Sequence, residues 1–281
     1  MVKIVAVTTA GLLANELQEL DIIMIPQRVN FGLETLRDGI DISNEVFLQR
    51  LASSKEFPTT SQPPAGEFLE AFKKIRAAGH DVLAVLVSHK LSGTVTSANT
   101  AKSELNNDPA ITIFDTMNVA AGEGMMALEA ARLARAGKSV AEILPHLEHM
   151  RDHMHLLFVL NTLEYLAKGG RIGNAQKLIG SMLQMKPILE IKHGGVEQFE
   201  RIRTKAKARA RLYEVVDHAV RGKSNVHLAV MYTEIIYEAT QVANELKEKY
   251  HLAKCNAYHM SPAVGAHAGP EALGIAYYIE N

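Results

Sequence analysis

The stretch Val82-Leu83-Ala84-Val85-Leu86-Val87-Ser88 decides the fold class, because its six consecutive apolar residues end at a polar one. A strand buried on both faces of a parallel sheet has this composition. Short apolar runs at residues 3–8, 22–25 and 111–115 share it. Helical patterns lie between and after these runs, at residues 12–20, 44–51, 64–78, 95–105 and 119–136. The alternation predicts a Rossmann-like, mostly parallel sheet that binds ligands beyond the carboxyl ends of its strands.

The second half of the chain has a different pattern. The segments 187–192 and 196–203 flank the turn His193-Gly194-Gly195, and this order predicts a β-hairpin. Further helical patterns cover residues 175–183, 205–221 and 234–249, and strand patterns cover 226–232, 252–259 and 272–279. We therefore predict an α/β protein with a Rossmann-like domain over residues 1–160 and a smaller α+β domain with an antiparallel sheet over 161–281.

The composition is that of an ordinary globular protein. Of 281 residues, 47% are hydrophobic and 22% charged, and the net charge of -1 gives no global attraction to nucleic acid or anionic lipid. The single cysteine, Cys255, cannot form an internal disulfide and suits a reducing compartment. The start is typical of a buried strand rather than a secretory leader, and no apolar run is long enough for a membrane span. We expect a cytoplasmic protein without stable membrane insertion.

Two polar turns precede predicted helices. In the first, Pro58 and Pro63 bracket Thr59-Thr60-Ser61-Gln62, and in the second, Ser88-His89-Lys90-Leu91-Ser92-Gly93-Thr94 follows the decisive strand. Hydroxyls at a helix start can cap the helix or donate to a carboxylate or phosphate, and both interpretations stay open for each turn. The second is not a nucleophile elbow, because Lys90 and Thr94 replace both glycines of that motif.

Two further segments place a charged or titratable side chain among small residues. Gly169-Gly170-Arg171-Ile172-Gly173 suggests a tightly bent backbone that presents a guanidinium, and its spacing fits neither nucleotide-binding glycine motif. His267-Ala268-Gly269-Pro270 lies in a predicted loop before the final strand. Its histidine is either a packing residue or a hydrogen-bond donor beside a carboxylate.

Together these segments resemble the DegV family, whose members include the fatty-acid-binding subunit of bacterial fatty acid kinase. They occur in the family's order over nearly the whole chain. The residues that carry the resemblance are Pro58-Thr59-Thr60-Ser61-Gln62-Pro63, Leu91-Ser92-Gly93-Thr94, the run from Leu163 to Leu189 (LEYLAKGGRIGNAQKLIGSMLQMKPIL), Arg203-Thr204 and His267-x-Gly269-Pro270.

The resemblance implies two α/β domains, a lipid tunnel in the first and a carboxylate site near their junction. It implies that Thr60, Ser61, Ser92 and His267 hold the carboxylate of a long-chain fatty acid, while Arg171 orients the head group or an incoming phosphate. The family's binding proteins are not catalytic by themselves. A separate ATP-dependent kinase subunit makes the acyl phosphate for phospholipid synthesis, so we expect neither a cofactor nor a catalytic residue here.

The chain departs from the family pattern in three places. Thr8-Thr9 replaces an Asp-Ser pair after the first strand, Asp115-Thr116 stands where Asp-Ser is common after the fourth, and Glu271 replaces a glycine. The first change would remove polar anchoring near the head group. The carboxylate of Glu271 would repel an anionic ligand if it pointed inward.

A basic segment runs from Arg201 to Arg211 and carries six basic residues but no acidic one. It is interpreted as a solvated surface or as a docking site for the kinase subunit, with Arg201, Arg203 and Lys207 as the candidate contacts. Nucleic-acid binding is a third interpretation, but the segment lacks interleaved aromatic residues and any recognised motif.

Two other kinds of site, a hydrolase or transferase active site and a metal site, also have candidate residues. Ser92 could be the nucleophile of a hydrolase or transferase with His89 or His267 as its base, although no acidic residue is recognisably placed to orient either histidine. His149 and His153 have the helical spacing of a two-histidine metal site, but the chain contains no H-E-x-x-H motif, and we expect no metal.

Overall fold

The computed structural model describes residues 1–54, 56–177 and 186–280. Its first sheet is parallel, as predicted, with the strand order β2-β1-β6-β7. Alternate residues of β6 face opposite sides: Leu83 and Val85 pack with the helix at 120–135, whereas Val82, Ala84 and Leu86 pack with the helices at 65–77 and 94–104. Burial on both faces explains the uninterrupted apolar run. The strands are β1 (Val2–Val7), β2 (Ile23–Ile25), β6 (Asp81–Leu86) and β7 (Ile111–Asp115).

The second sheet has six strands in the order β10-β9-β8-β13-β11-β12. All neighbours are antiparallel except β11 and β12, which are parallel. The predicted hairpin is confirmed as β9–β10, whereas β12 is shorter than the strand predicted over 252–259. The strands are β8 (His155–Val159), β9 (Ile188–Lys192), β10 (Gly195–Glu200), β11 (Val226–Tyr232), β12 (Ala257–His259) and β13 (Leu273–Ile279).

One helix joins the two sheets into a common core. Helix α5 is rich in alanine, glycine and methionine, and most of its residues are buried. These small side chains allow close packing, and α5 contacts strands of both sheets. The helices are α1 (Ala14–Leu20), α2 (Asn44–Ser53), α3 (Ala65–Ala77), α4 (Thr94–Glu104), α5 (Ala120–Arg135), α6 (Val140–His153), α7 (Glu164–Lys168), α8 (Lys205–Val220), α9 (Ile236–Lys249) and α10 (Pro262–Ala268).

A third, small antiparallel sheet was not predicted. It has the order β4-β3-β5, from β3 (Arg28–Phe31), β4 (Glu34–Arg37) and β5 (Thr59–Ser61). Helix α10, from the end of the chain, packs on this sheet and on α2, with Ala263 and Ala266 in a core that includes Phe47. This packing brings the hydroxyls of β5 next to residues more than two hundred positions away in sequence.

The two halves of the chain exchange elements. Strand β8 lies before residue 160 but pairs within the six-stranded sheet, and α10 packs on the first half. We retain the division into residues 1–160 and 161–281 as a proposal, with β8 as the strand that the first half contributes to the second sheet. The helix predicted over 175–183 lies partly outside the described residues. Within the described ranges, no helix is long and apolar enough to cross a membrane.

Candidate functional site

A cavity of about 780 Å³, including its open mouth, lies between the two larger sheets. Thr9 and Val87, just beyond the carboxyl ends of β1 and β6, line it, at the position where parallel α/β sheets bind ligands. None of its described lining residues is acidic, and its apolar lining includes Leu91, Val119, Phe158, Leu160, Ile191 and Val196.

Thr60 and Ser61 reach the cavity from strand β5, not from a helix cap as one interpretation had it. The Oγ1 atom of Thr60 lies 2.7 Å from Nε2 of His267, so these residues form one hydrogen-bonded pair. Ser61 also lines the cavity, although its side chain is largely exposed. The local sequence could not reveal the pair, because tertiary packing of α10 on β5 creates it.

His267 lies in the last turn of helix α10, so the prediction of a loop there was wrong. Its ring is packed so closely on Gly169 that a Cβ atom at that position would lie 2.1 Å from Nδ1. Nδ1 is buried and has no hydrogen-bond partner in the described part of the chain. A proton there would be buried without an acceptor, so we assign the proton to Nε2, which then donates to Thr60.

The imidazole of His267 is neutral at physiological pH. Burial, and to a smaller extent the positive charge of Arg171, lower its pKa to about 4. A neutral ring can orient the Thr60 hydroxyl without adding a charge that would need its own counterion.

Ser92 lines the cavity from the turn between β6 and α4. Its Oγ lies 2.8 Å from Oγ1 of Thr94 and accepts a longer hydrogen bond, 3.3 Å, from the backbone N–H of Thr94. The hydroxyl therefore shapes the start of α4 and faces the cavity at the same time. The N-cap residue of α4 is Gly93, and no described side chain caps the helix, so the capping interpretation of this turn was wrong.

Arg171 connects the two groups of hydroxyls. Its Nε donates to the carbonyl of Leu91 at 3.0 Å, next to Ser92, and its Nη1 donates to the carbonyl of Gly169 at 2.7 Å, beneath His267. Two backbone acceptors thus hold the guanidinium at the cavity wall. The expected bent glycine backbone is present, because Gly170 and Gly173 both have positive φ angles.

Several residues near the site were missed. Gln27 lines the cavity, and Thr94 and Glu123 are fully buried beside cavity-lining residues. Thr9 donates to Glu123 at 2.8 Å, and burial raises the pKa of this carboxyl well above its usual value, which favours the neutral acid. The motif around Ser92 already contained Thr94, but no sequence signal marked Gln27, which follows Pro26 in an unremarkable segment.

The structure shows the interactions of two of the three departures from the family pattern. Thr8 donates to the buried Asp38 at 3.0 Å and accepts from the backbone of Gln27 at 3.0 Å, which provides polar anchoring after β1. The carboxylate of Glu271 does not line the cavity but pairs with Lys205 at 2.6 Å, and this hydrogen bond lowers its pKa.

The basic segment divides into two groups. Lys205, Arg209 and Arg211 pair with Glu271, Glu238 and Glu200, respectively. Arg201, Arg203 and Lys207 are exposed, and none of them has an ion-pair partner among the described residues. The three docking candidates are therefore the basic side chains of this segment that are exposed and form no ion pair with a described residue.

The structure corrects one point about the hydrolase alternative. Asp115 does orient His89, with 2.5 Å between Oδ2 and Nδ1. However, Ser92 has Thr94 rather than His89 as its partner, and His89 is not among the described lining residues of the cavity. A nucleophile needs its base within hydrogen-bonding reach, so this arrangement does not form a Ser-His-Asp triad.

The two histidines with metal-site spacing contact each other with tilted rings. The ring centroids of His149 and His153 are 4.2 Å apart, and Nδ1 of His153 bonds to the backbone carbonyl of His149. Within the described ranges, no group of three or more His, Cys, Asp or Glu side chains has an arrangement that could hold a metal ion.

Comparisons with known proteins agree on one family. The model of the DegV family, described as uncharacterised protein, matches residues 1–280. The protein DegV of Bacillus subtilis is 34% identical over 278 residues, 98% of each chain, and a DegV domain-containing protein of Halalkalibacterium halodurans is 32% identical over the full length of both.

Solved structures extend the agreement to three dimensions. The crystal structure of DegV from Bacillus subtilis, described as a fatty acid binding protein, has a TM-score of 0.90 at 33% identity and covers 99% of both chains. A DegV family protein from Thermus thermophilus, described by its fatty acid binding, has a TM-score of 0.91 at 29% identity with the same coverage. With its sequence and its fold in agreement, the chain belongs to the DegV family.

Proposed function

We propose that this protein binds one long-chain fatty acid, with the tail in the cavity and the carboxylate at Thr60, Ser61, Ser92 and His267. It then presents the carboxylate to a separate ATP-dependent kinase subunit in the cytoplasm, which phosphorylates it to an acyl phosphate for phospholipid synthesis. In this proposal the chain is a non-catalytic carrier without a cofactor. The observation that carries it is a single cavity that combines apolar walls with hydroxyl and imidazole groups and no described carboxylate.

The energetics favour an acyl chain over a small polar ligand. About 14 buried methylenes would contribute on the order of 11 kcal/mol before entropic losses, at ~0.8 kcal/mol each. A carboxylate without hydrogen-bond donors would cost several kcal/mol on leaving water. The tail therefore sets the affinity, and the polar groups set the position of the head group.

The hydrogen bonds at the site suit a carboxylate. Because His267 donates to Thr60, the hydroxyl proton of Thr60 is free for a ligand oxygen. Ser92 offers a second hydroxyl from the turn between β6 and α4. Two neutral donors can satisfy the two oxygens, while Arg171 supplies a positive charge that would stabilise the acyl phosphate.

Mass spectrometry of an organic extract of the purified protein tests lipid binding directly. We expect a fatty acid of about 14 to 18 carbons in near-stoichiometric amount, because that many methylenes give the required burial. Protein that was delipidated and mixed with fatty acid should take it up again. An extract without fatty acid, together with no uptake, would refute the proposal.

Reversing the charges of Arg203 and Lys207 to Glu tests partner docking. These side chains are exposed and lie outside the described cavity lining, so the double variant should lose affinity for an acidic kinase subunit and retain its fatty acid. Replacing the ion-paired Arg211 by Glu is the control for a charge change elsewhere in the same basic segment. Unchanged affinity for the kinase subunit in the double variant would reject this docking surface.

A further inference from the structure

Gln27 lies behind the Ser92 hydroxyl, with one side chain between them. Its Nε2 donates to Oγ1 of Thr94 at 2.8 Å, and Thr94 in turn is 2.8 Å from Oγ of Ser92. Thr94 is fully buried and Gln27 is 97% buried, at 3% exposure. Solvent therefore cannot replace the donor that Gln27 supplies.

This donor determines the direction of the next hydrogen bond. Oγ1 of Thr94 accepts from Gln27, and in the described part of the chain the only acceptor within reach of its own proton is Oγ of Ser92. Ser92 also accepts from the backbone N–H of Thr94. With its oxygen accepting from Thr94, Ser92 has one hydroxyl proton, and the described residues provide no acceptor for it, so this proton is available to a ligand in the cavity.

The backbone holds Gln27 in place on both sides. Its N–H donates to Thr8 at 3.0 Å, its carbonyl accepts from the N–H of Asp38 at 2.9 Å, and Thr8 and Asp38 are themselves hydrogen-bonded. Asp38 also accepts from the N–H of Ala263 at 3.2 Å, in the first turn of the helix that carries His267. The same network thus supports both groups of hydroxyls.

We propose that Gln27 is a positioning residue that makes Ser92 a hydrogen-bond donor and so selects an ionised carboxylate over a neutral hydroxyl head group. This inference rests on the proposed fatty acid function. A carboxylate only accepts hydrogen bonds and fits two hydroxyls that both donate. The hydroxyl of a fatty alcohol also has a proton, which would be left without an acceptor.

The test compares the binding of palmitic acid and hexadecanol to the delipidated full-length protein, by competition with radiolabelled palmitate at pH 8. Gln27→Glu keeps the shape of the side chain but accepts from Thr94, which turns the Ser92 proton away from the cavity. We expect palmitate affinity to fall about tenfold or more, the value of one hydrogen bond to a charged group, and hexadecanol affinity to change less than about threefold.

A double-mutant cycle with Ser92→Ala separates hydrogen-bond direction from simple charge repulsion. If Gln27 acts through Ser92, Gln27→Glu should weaken palmitate binding less than about threefold when Ser92 is absent. In Gln27→Met the side chain has neither a hydrogen-bond donor nor a charge, so this variant should bind palmitic acid with a smaller preference over hexadecanol. It provides a second test if Gln27→Glu folds poorly.

The inference would be overturned if Gln27→Glu lowered palmitate affinity equally in the parent protein and in Ser92→Ala. It would also be overturned if both Gln27 variants kept the parent's preference for palmitic acid over hexadecanol. Neither result would contradict fatty acid binding. Failure of the parent protein to bind palmitate would overturn the proposed function together with the inference.

Discussion

Two hollows of similar size in this molecule differ sharply in chemistry. The cavity described above has about 780 Å³ and a charged cleft has about 660 Å³; the cleft lies between helices α5 and α6 and the end of the second sheet. In the cleft, Glu129 lies 3.2 Å from Arg132 and 3.6 Å from His146, and His227 lies 3.5 Å from Glu280. In the cavity, no described carboxylate faces the donors.

The comparison shows why volume alone does not identify a site for an anion. A carboxylate that entered the cleft would compete with carboxylates already paired there, and it would gain little. In the cavity, the hydroxyls of Thr60 and Ser92 and the guanidinium of Arg171 have neutral hydrogen-bond partners in the described part of the chain. A carboxylate that binds there would therefore not compete with a protein carboxylate for these groups. The following predictions test this difference, from the largest expected effect to the smallest.

Removing hydrogen-bond donors from the cavity should lower fatty acid affinity more than any other change considered below. We expect Ser92→Ala combined with His267→Ala to reduce fatty acid affinity about 100-fold or more, because two hydrogen bonds to a charged group are lost or misdirected, at ~1.5 kcal/mol or more each. The measurement is retention of fatty acid by mass spectrometry and its affinity by titration.

The matched control removes two imidazoles from the cleft. His146→Ala combined with His227→Ala should leave fatty acid affinity within about twofold of the parent, since exposed ion pairs contribute little. If the cavity variant retained its lipid as well as the cleft variant does, the assigned head-group site would be wrong.

The pH dependence of stability should report on the buried His267. Its pKa in the folded protein is about 4, and the unfolded chain binds the same proton near pH 6.5. Its contribution is therefore fully present above pH 6.5 and is lost as the pH falls toward 4, by about 3 kcal/mol at most. Urea unfolding at pH 7 and at pH 4.5 should show a smaller decrease for His267→Gln than for the parent.

His146→Gln in the cleft is the control, because it also removes a histidine but not the buried one. This variant should keep the parent's decrease in stability between the two pH values. Equal decreases in the parent and in His267→Gln would show that the imidazole of His267 is not held neutral by burial.

Adding a methyl group at Gly169 should lower fatty acid affinity less than the loss of Ser92 and His267 together. Its Cβ atom would overlap the ring of His267, so Gly169→Ala should move the ring away from Thr60 and lower fatty acid affinity about tenfold, the value of one hydrogen bond to a charged group. Gly66→Ala, where an added Cβ meets open space within helix α3, is the control. Unchanged affinity in Gly169→Ala would mean that the Thr60–His267 contact does not contribute to binding.

Much of the fold could be predicted because its signals are local. The buried strands β1, β6 and β7, the hairpin β9–β10 and the helices α3, α4, α5, α8 and α9 follow from patterns within single segments, and their observed bounds agree to within a few residues. Helix α6 had no predicted range. The small sheet β4-β3-β5 was missed, because its strands are only three or four residues long. Helix α10 was missed because its small residues have no amphipathic period and it is buried by tertiary packing.

The sequence by itself determined the α/β class and the family, through apolar runs and motifs whose residues are neighbours along the chain. Only the tertiary structure decided which of these motifs meet. The Thr60–His267 hydrogen bond spans 207 positions, and the contact of Gln27 with Thr94 spans 67. Such contacts depend on how α10 and β5 pack and on where each hydroxyl proton can go, and no local pattern of residues contains that information.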